Sequence, residues 1–176
     1  MSAETPKHST GKYHFFWQSE SPFSQWHKSK YELNGFVYCC AEQGMMHGKA
    51  LLFGDQKVAK AILETQSPRK IKSLGRQVKS FDDKGWTTER IKIVKENTIA
   101  KFTQNRQLLE ALMNTSGLLV EASPCDSIWG IGLSEEVARE IPEEKWPGMN
   151  LLGKILTAVR DEIHETNVKS DKEDVV

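Results

Sequence analysis

Three apolar residues, Leu118-Leu119-Val120, run straight into Glu121, and Ala122-Ser123 then leads to Asp126, Trp129, Gly130 and Gly132. No other stretch restricts the fold as much. The run reads as a buried strand, and an ionisable group closing such a strand needs either a core partner or a chemical role. Two readings of Glu121 therefore stand: an ion pair with a core arginine, or an acid in a pocket. In Trp129-Gly130-Ile131-Gly132-Leu133 the two glycines permit close backbone approach to a ligand or a positive φ, and Trp129 offers a flat apolar wall. Carboxylates, an indole and glycines at a strand end suit a sugar or nucleotide pocket, although a GxG beside a tryptophan is a weak signal taken alone.

A chain of 176 residues with 38% apolar content can bury one good core and is short for two independent domains, so a single domain is expected. Lys+Arg and Asp+Glu both number 24, so there is no general field to hold nucleic acid, and any such target must be recognised locally. Lys28, Lys30, Lys70, Lys72 and Lys79 are candidates for a local basic rim, with solvated surface lysines as the plainer reading. Cys39, Cys40 and Cys125 cannot all pair, and the adjacent two lack zinc-knuckle spacing, which points to a reducing cytoplasm. With no apolar leader stretch and no run of about 18 apolar residues, neither secretion nor membrane spanning is expected. The sequence does not give the oligomeric state.

Residues 1–12 and 167–176 read as flexible tails, the second strongly charged, around a folded unit at 13–166. Tyr13 to Trp17 suggests a short strand, and Tyr31 to Cys40 a hairpin turning at Asn34-Gly35. Ala41 to Leu52 is helical in pattern. Gly54 ends that helix, Asp55 caps a second through about Glu64, and Ser67-Pro68 starts another. Ile91, Val94, Thr98 and Phe102 define one helical face within 87–102, Gln104-Asn105 separates a further helix reaching about Asn114, and Ser134 caps a short one to Glu140. Asn150 to about His164 presents a broad apolar face. These elements predict a helix-rich α+β domain with a few short strands.

If Ala41 to Leu52 is one helix, Glu42 and Lys49 lie about two turns apart on one face, roughly 10 Å along it, with Met45 and Met46 between. Such a stripe is often a core face with snorkelling ends. It also suits chemistry, because a lysine becomes a nucleophile when burial or nearby positive charge disfavours its ammonium form. Arg76 follows a helix end, where its fork can hold phosphate or cap carbonyls. Trp86 can be a packing anchor or a stacking surface for a base or sugar. The histidines have no metal-ligand spacing, and GxSxG, Walker A and GxGxxG are absent, which disfavours metalloenzyme, serine hydrolase, P-loop and Rossmann readings. Carboxylates, a lysine, an arginine and tryptophans remain, a set suited to acid/base or Schiff-base chemistry on a sugar carbon.

Taken in order, Phe15-Phe16-Trp17, Ser21-Pro22-Phe23-Ser24, Ala41-Glu42-Gln43-Gly44-Met45-Met46, Lys49-Ala50, Phe53-Gly54-Asp55, Leu74-Gly75-Arg76 and Phe81-Asp82 with Trp86 resemble the NADAR, or YbiA-like, family. The resemblance continues through Lys101-Phe102-Gln104-Asn105, Leu119 to Ser123, Asp126, Trp129 to Leu133, and Gly148, Asn150, Leu152 and Gly153. It implies a YbiA-like fold and an N-glycosidase that needs no metal or redox cofactor. The substrate class it implies is either ADP-ribose on guanine bases of nucleic acid or early riboflavin-pathway ribosides. It further implies that Lys49 attacks the ribose anomeric carbon to form an imine. Glu42, Glu121 and Asp126 are the matching acids, with the proton donor unassigned. Phe16, Ser24, Arg76, Trp86, Trp129, Gly130, Gly132 and Asn150 would contact substrate, Arg76 taking the pyrophosphate. Gln25-Trp26-His27-Lys28 departs from the family's usual Asn-Phe-Tyr-Pro run, which bears on substrate choice. A non-catalytic module binding ADP-ribose or NAD is the competing reading, and a structural adaptor has no sequence feature behind it.

Overall fold

A computed structural model of the chain describes residues 11–173. These form two compact units, one made of residues 17–109 and the other of 11–16 with 110–173. The first strand, β1 (Tyr13–Phe16), belongs to the second of them.

In the unit of residues 17–109, β2 (Tyr31–Leu33) and β3 (Phe36–Tyr38) pair as an antiparallel hairpin. Its turn is the expected one. Asn34 and Gly35 both have positive φ, 54° and 81°, the type I′ signature that fits the twist of a two-residue hairpin. Tyr31 and Tyr38 face each other across the ladder with ring centroids 5.4 Å apart, and they pack with Ala100, Leu33 and Leu63. The Gln104 side-chain amide then holds the strand backbone from outside, accepting from Glu32 N–H and donating to Glu32 C=O, each at 2.8 Å.

Helix α1 (Ala41–Leu52) has the predicted bounds and packs on α2 (Gln56–Leu63), α3 (Pro68–Gly75) and α4 (Asp83–Thr103). Close packing with α4 needs small residues on α1: a Cβ at Gly44 would enter the Asn97 amide, and one at Gly48 would press on Ile93. Asp55 and Ser67 cap α2 and α3 as expected, accepting from Val58 N–H at 3.0 Å and Lys70 N–H at 3.4 Å. The long helix α4 begins upstream of the face expected within 87–102, because Asp82 Oδ2 accepts from Gly85 N–H at 2.7 Å and supplies a cap. Ile91, expected on the buried face, is 39% exposed; Val94, Thr98 and Phe102 are buried.

Helix α5 (Arg106–Met113) carries the chain into the other unit, where β1 pairs in parallel with β4 (Leu118–Glu121). Phe16 is in register with Glu121. Val120, Ala122, Ile131 and Ala138 form the core there, with Tyr13, Phe15 and Trp146 packed against it. Ser134 caps the short α6 (Glu135–Arg139), a 3-10 turn follows at Glu143–Lys145, and α7 spans Leu151–Glu173. Its backbone continues past His164 and through the boundary expected at Thr166. Residues 1–10 and 174–176 of the expected tails lie outside the described residues. No described helix is long and apolar enough to cross a membrane.

Asn150 completes β4 from the side opposite β1. Its Nδ2 donates to Leu119 C=O and its Oδ1 accepts from Glu121 N–H, both at 3.0 Å, so one side chain stands in for a neighbouring strand. The residue is buried and has φ 52°, a region where asparagine is tolerated far better than alanine. Asn150→Ala should therefore lower stability by several kcal/mol, since each buried backbone group left unpaired costs about 1–3 kcal/mol. Urea unfolding checks this; an unchanged midpoint would remove Asn150 from the support of β4.

Candidate active site

Lys49 sits near the C-terminal end of α1, half-buried, with Nζ donating to Gly75 C=O at 2.9 Å. The contact depends on a glycine. Gly75 is buried, and a Cβ there would collide with Met46 Sδ, so only a residue without a side chain lets the last turn of α3 lie flush on α1. The same Nζ stands 4.4 Å from the centroid of the Phe81 ring and 5.7 Å from that of Trp86. Phe81 is 44% exposed, while Trp86 is buried.

Burial is the largest influence on the lysine and lowers its pKa below the usual range; the nearby Arg76 guanidinium lowers it further, and Glu42 acts in the opposite sense. The two aromatic faces also favour the ammonium. Glu42, in the first turn of the same helix, is 3% exposed. Glu42 and Lys49 stand on the same helix, the carboxylate near enough for its charge to act on the amine. Arg76 is exposed at the C-terminal end of α3, its own N–H closing that helix.

Phe81 was not among the expected substrate contacts, although it is nearer to Lys49 than Trp86 is. In the sequence it stands as part of the Phe81-Asp82 piece of the family pattern, with no role attached. The chain reaches it through Ser80, whose φ is 55°. Ser24, an expected substrate contact, is buried, and its Oγ accepts from Trp26 N–H at 3.2 Å. Its hydroxyl shapes a turn.

The other expected residues gather around β4 in the other unit. Glu121 ends that strand and Phe16, buried, ends its partner. Asp126 Oδ1 accepts from Ile128 N–H at 2.9 Å and Trp129 N–H at 2.8 Å, folding the loop that presents Trp129. The glycines serve that loop as well. A Cβ at Gly130 would fall within 2.9 Å of the Glu121 and Asp126 carbonyl oxygens, and Gly132 has φ 71°. Close backbone approach occurs here, as expected from the sequence, but to the chain itself.

A family model described as the NADAR domain matches residues 14–164. The chain belongs to the NADAR family. It is 48% identical over 146 residues to N-glycosidase R617 of Acanthamoeba polyphaga mimivirus, covering 80% of this chain and 86% of the relative. Protein irg-1 of Caenorhabditis elegans is 38% identical over 143 residues, 79% of this chain and 68% of that one. The NADAR chain also shares its fold with the E. coli protein YbiA, whose NMR structure superposes with a TM-score of 0.73 at 22% identity, covering 89% of this chain and 88% of YbiA. The helix-rich α+β architecture is thus YbiA-like.

Proposed function

We propose that this NADAR protein is an N-glycosidase that hydrolyses the ribosyl C–N bond of ADP-ribosylated guanine in nucleic acid, with Lys49 as nucleophile. The setting of Lys49 carries this reading: a half-buried amine with a lowered pKa, beside two aromatic rings and a guanidinium, on one helix face with a buried carboxylate. The name of the mimiviral relative, N-glycosidase, supports the reaction class.

Neutral Lys49 Nζ forms a bond to ribose C1′ as the bond from C1′ to the base breaks. The electron pair stays on the base nitrogen, which takes a proton. The resulting glycosylamine opens its sugar ring, O4′ taking a proton and the nitrogen lone pair forming the iminium. Water then adds to the iminium carbon and the amine leaves, so one water is consumed per bond cleaved. Glu42 is the carboxylate assigned to these proton transfers, because it shares the helix face with Lys49. Phe81 and Trp86 place aromatic faces against the amine, and exposed Arg76 receives the diphosphate as a bidentate partner. Asp126 is given no proton transfer in this scheme; its Oδ1 accepts from two backbone N–H groups.

Incubation with an oligonucleotide carrying ADP-ribosylated guanine, followed by mass spectrometry, tests the reaction directly. Release of ADP-ribose by the wild type and not by Lys49→Ala is the expected result. Release only from free aminopyrimidine ribosides would move the substrate to the riboflavin-pathway class. Tight ADP-ribose binding with no turnover of either would make the protein a binding module.

A further inference from the structure

Lys101 is a charged residue buried to 1% exposure on α4, outside the Lys49 cluster. Its Nζ donates to Pro22 C=O at 2.7 Å and to Ser24 C=O at 3.0 Å, both in the loop that follows β1. The neighbouring Phe102 stacks on Phe23 of that loop, with centroids 6.3 Å apart and planes 21° apart. One end of α4 therefore grips residues 22–24 twice, through a polar contact and an apolar one. Beyond the grip, Gln25 C=O accepts from Glu42 N–H at 2.8 Å. No side chain caps α1, and this carbonyl meets one of the donors that a helix start leaves over.

We infer that Lys101 is a positioning residue for the glycosidase site: it fixes the loop at 22–25, and through the bond from Glu42 N–H to Gln25 C=O it fixes the first turn of α1 and the carboxylate that works with Lys49. Sequence alone leaves Ser21-Pro22-Phe23-Ser24 and Lys101-Phe102 as separate pieces of the family pattern; the fold joins them. Burial pushes the Lys101 amine down to about 7, with Cys40 acting the other way. A neutral amine still carries two N–H groups, enough for the two carbonyls, so the grip holds in either protonation state. A hydrocarbon of similar length cannot make it.

The inference rests on the glycosidase reading for its catalytic part, and hydrogen exchange separates the two. Lys101→Met, checked by circular dichroism to be folded, should speed exchange of the Glu42 amide at least about tenfold, with the mid-α4 amides unchanged. It should also lower kcat about tenfold. In a Glu42→Gln background the same substitution should cost nothing further, because effects routed through one residue do not add. Lys101→Gln, which keeps a shorter donor, should show the same changes at smaller size and serves if the methionine variant does not fold. Unchanged Glu42 protection in a folded variant, or a kcat loss that persists in the Glu42→Gln background, would overturn the inference. If the wild type releases no base from any ribosyl substrate, the glycosidase reading has failed, and the exchange result alone decides the grip.

Discussion

Lys49→Arg should reduce base release by about 10³-fold or more, although it keeps a cation on the same helix face; removing a covalent nucleophile costs on that scale or above. An arginine is never deprotonated in proteins, so a purely electrostatic role would survive the change and a nucleophilic one would not. The pH dependence sharpens the test. In the wild type only the neutral amine attacks, so kcat/KM should rise with pH and level off at the pKa of Lys49 in the free enzyme. Burial and Arg76 place that pKa below the lysine reference of 10.5, so levelling should come below that pH. Borohydride should trap the sugar on Lys49 in the wild type alone. A folded Lys49→Arg variant with near-wild-type turnover would take the lysine out of the bond-making step.

Glu42→Gln should cost about 10²–10⁴-fold in kcat, the usual contribution of a positioned proton donor or acceptor. It should also shift the pH profile in a direction fixed by electrostatics. The Glu42 carboxylate raises the pKa of Lys49, so its removal lets burial and Arg76 act with less opposition, and the pKa falls. The rising limb of kcat/KM should then move to lower pH even as the plateau drops. A profile that falls in height without moving would mean that the carboxylate does not act on the amine's pKa, and an unchanged plateau would mean that the proton transfers belong to another residue.

The same physics explains which features were legible beforehand. Asn34-Gly35 announced its turn because both residues tolerate positive φ, and Asp55, Ser67 and Ser134 announced helix starts because a capping oxygen acts within three residues of its own position. That Glu42 and Lys49 share one face follows from the helical repeat once α1 is recognised. The start of α4 at Asp83 lies upstream of the apolar face that marks the helix in the sequence, and the Asp82 cap on Gly85 N–H accounts for it. Ile91 misled because a helical face can be continued by an apolar residue that the packing leaves exposed.

The polar residues divide along the same line. The sequence marks Asp126 as a candidate acid and Asn150 and Ser24 as candidate substrate contacts, and each also bonds backbone groups: Asp126 in a loop, Asn150 on the free side of β4, Ser24 in a turn. No pattern of spacing carries that information for Asn150, whose partners lie 29 and 31 positions away. Lys101 is the extreme case, with carbonyl partners 79 and 77 positions distant.

By itself, then, the sequence determined the local elements, the residues that share a helix face, and through its ordered motifs the family; these rest on caps, turns and periodicities that operate over a few residues. Tertiary structure alone decided that Gly75 offers its carbonyl to Lys49, that Phe81 lies against the amine, and that Lys101 grips the loop ahead of α1. Burial and hydrogen-bond partners are set by atoms close in space and far apart in the chain, and those two quantities govern whether a lysine can be neutral.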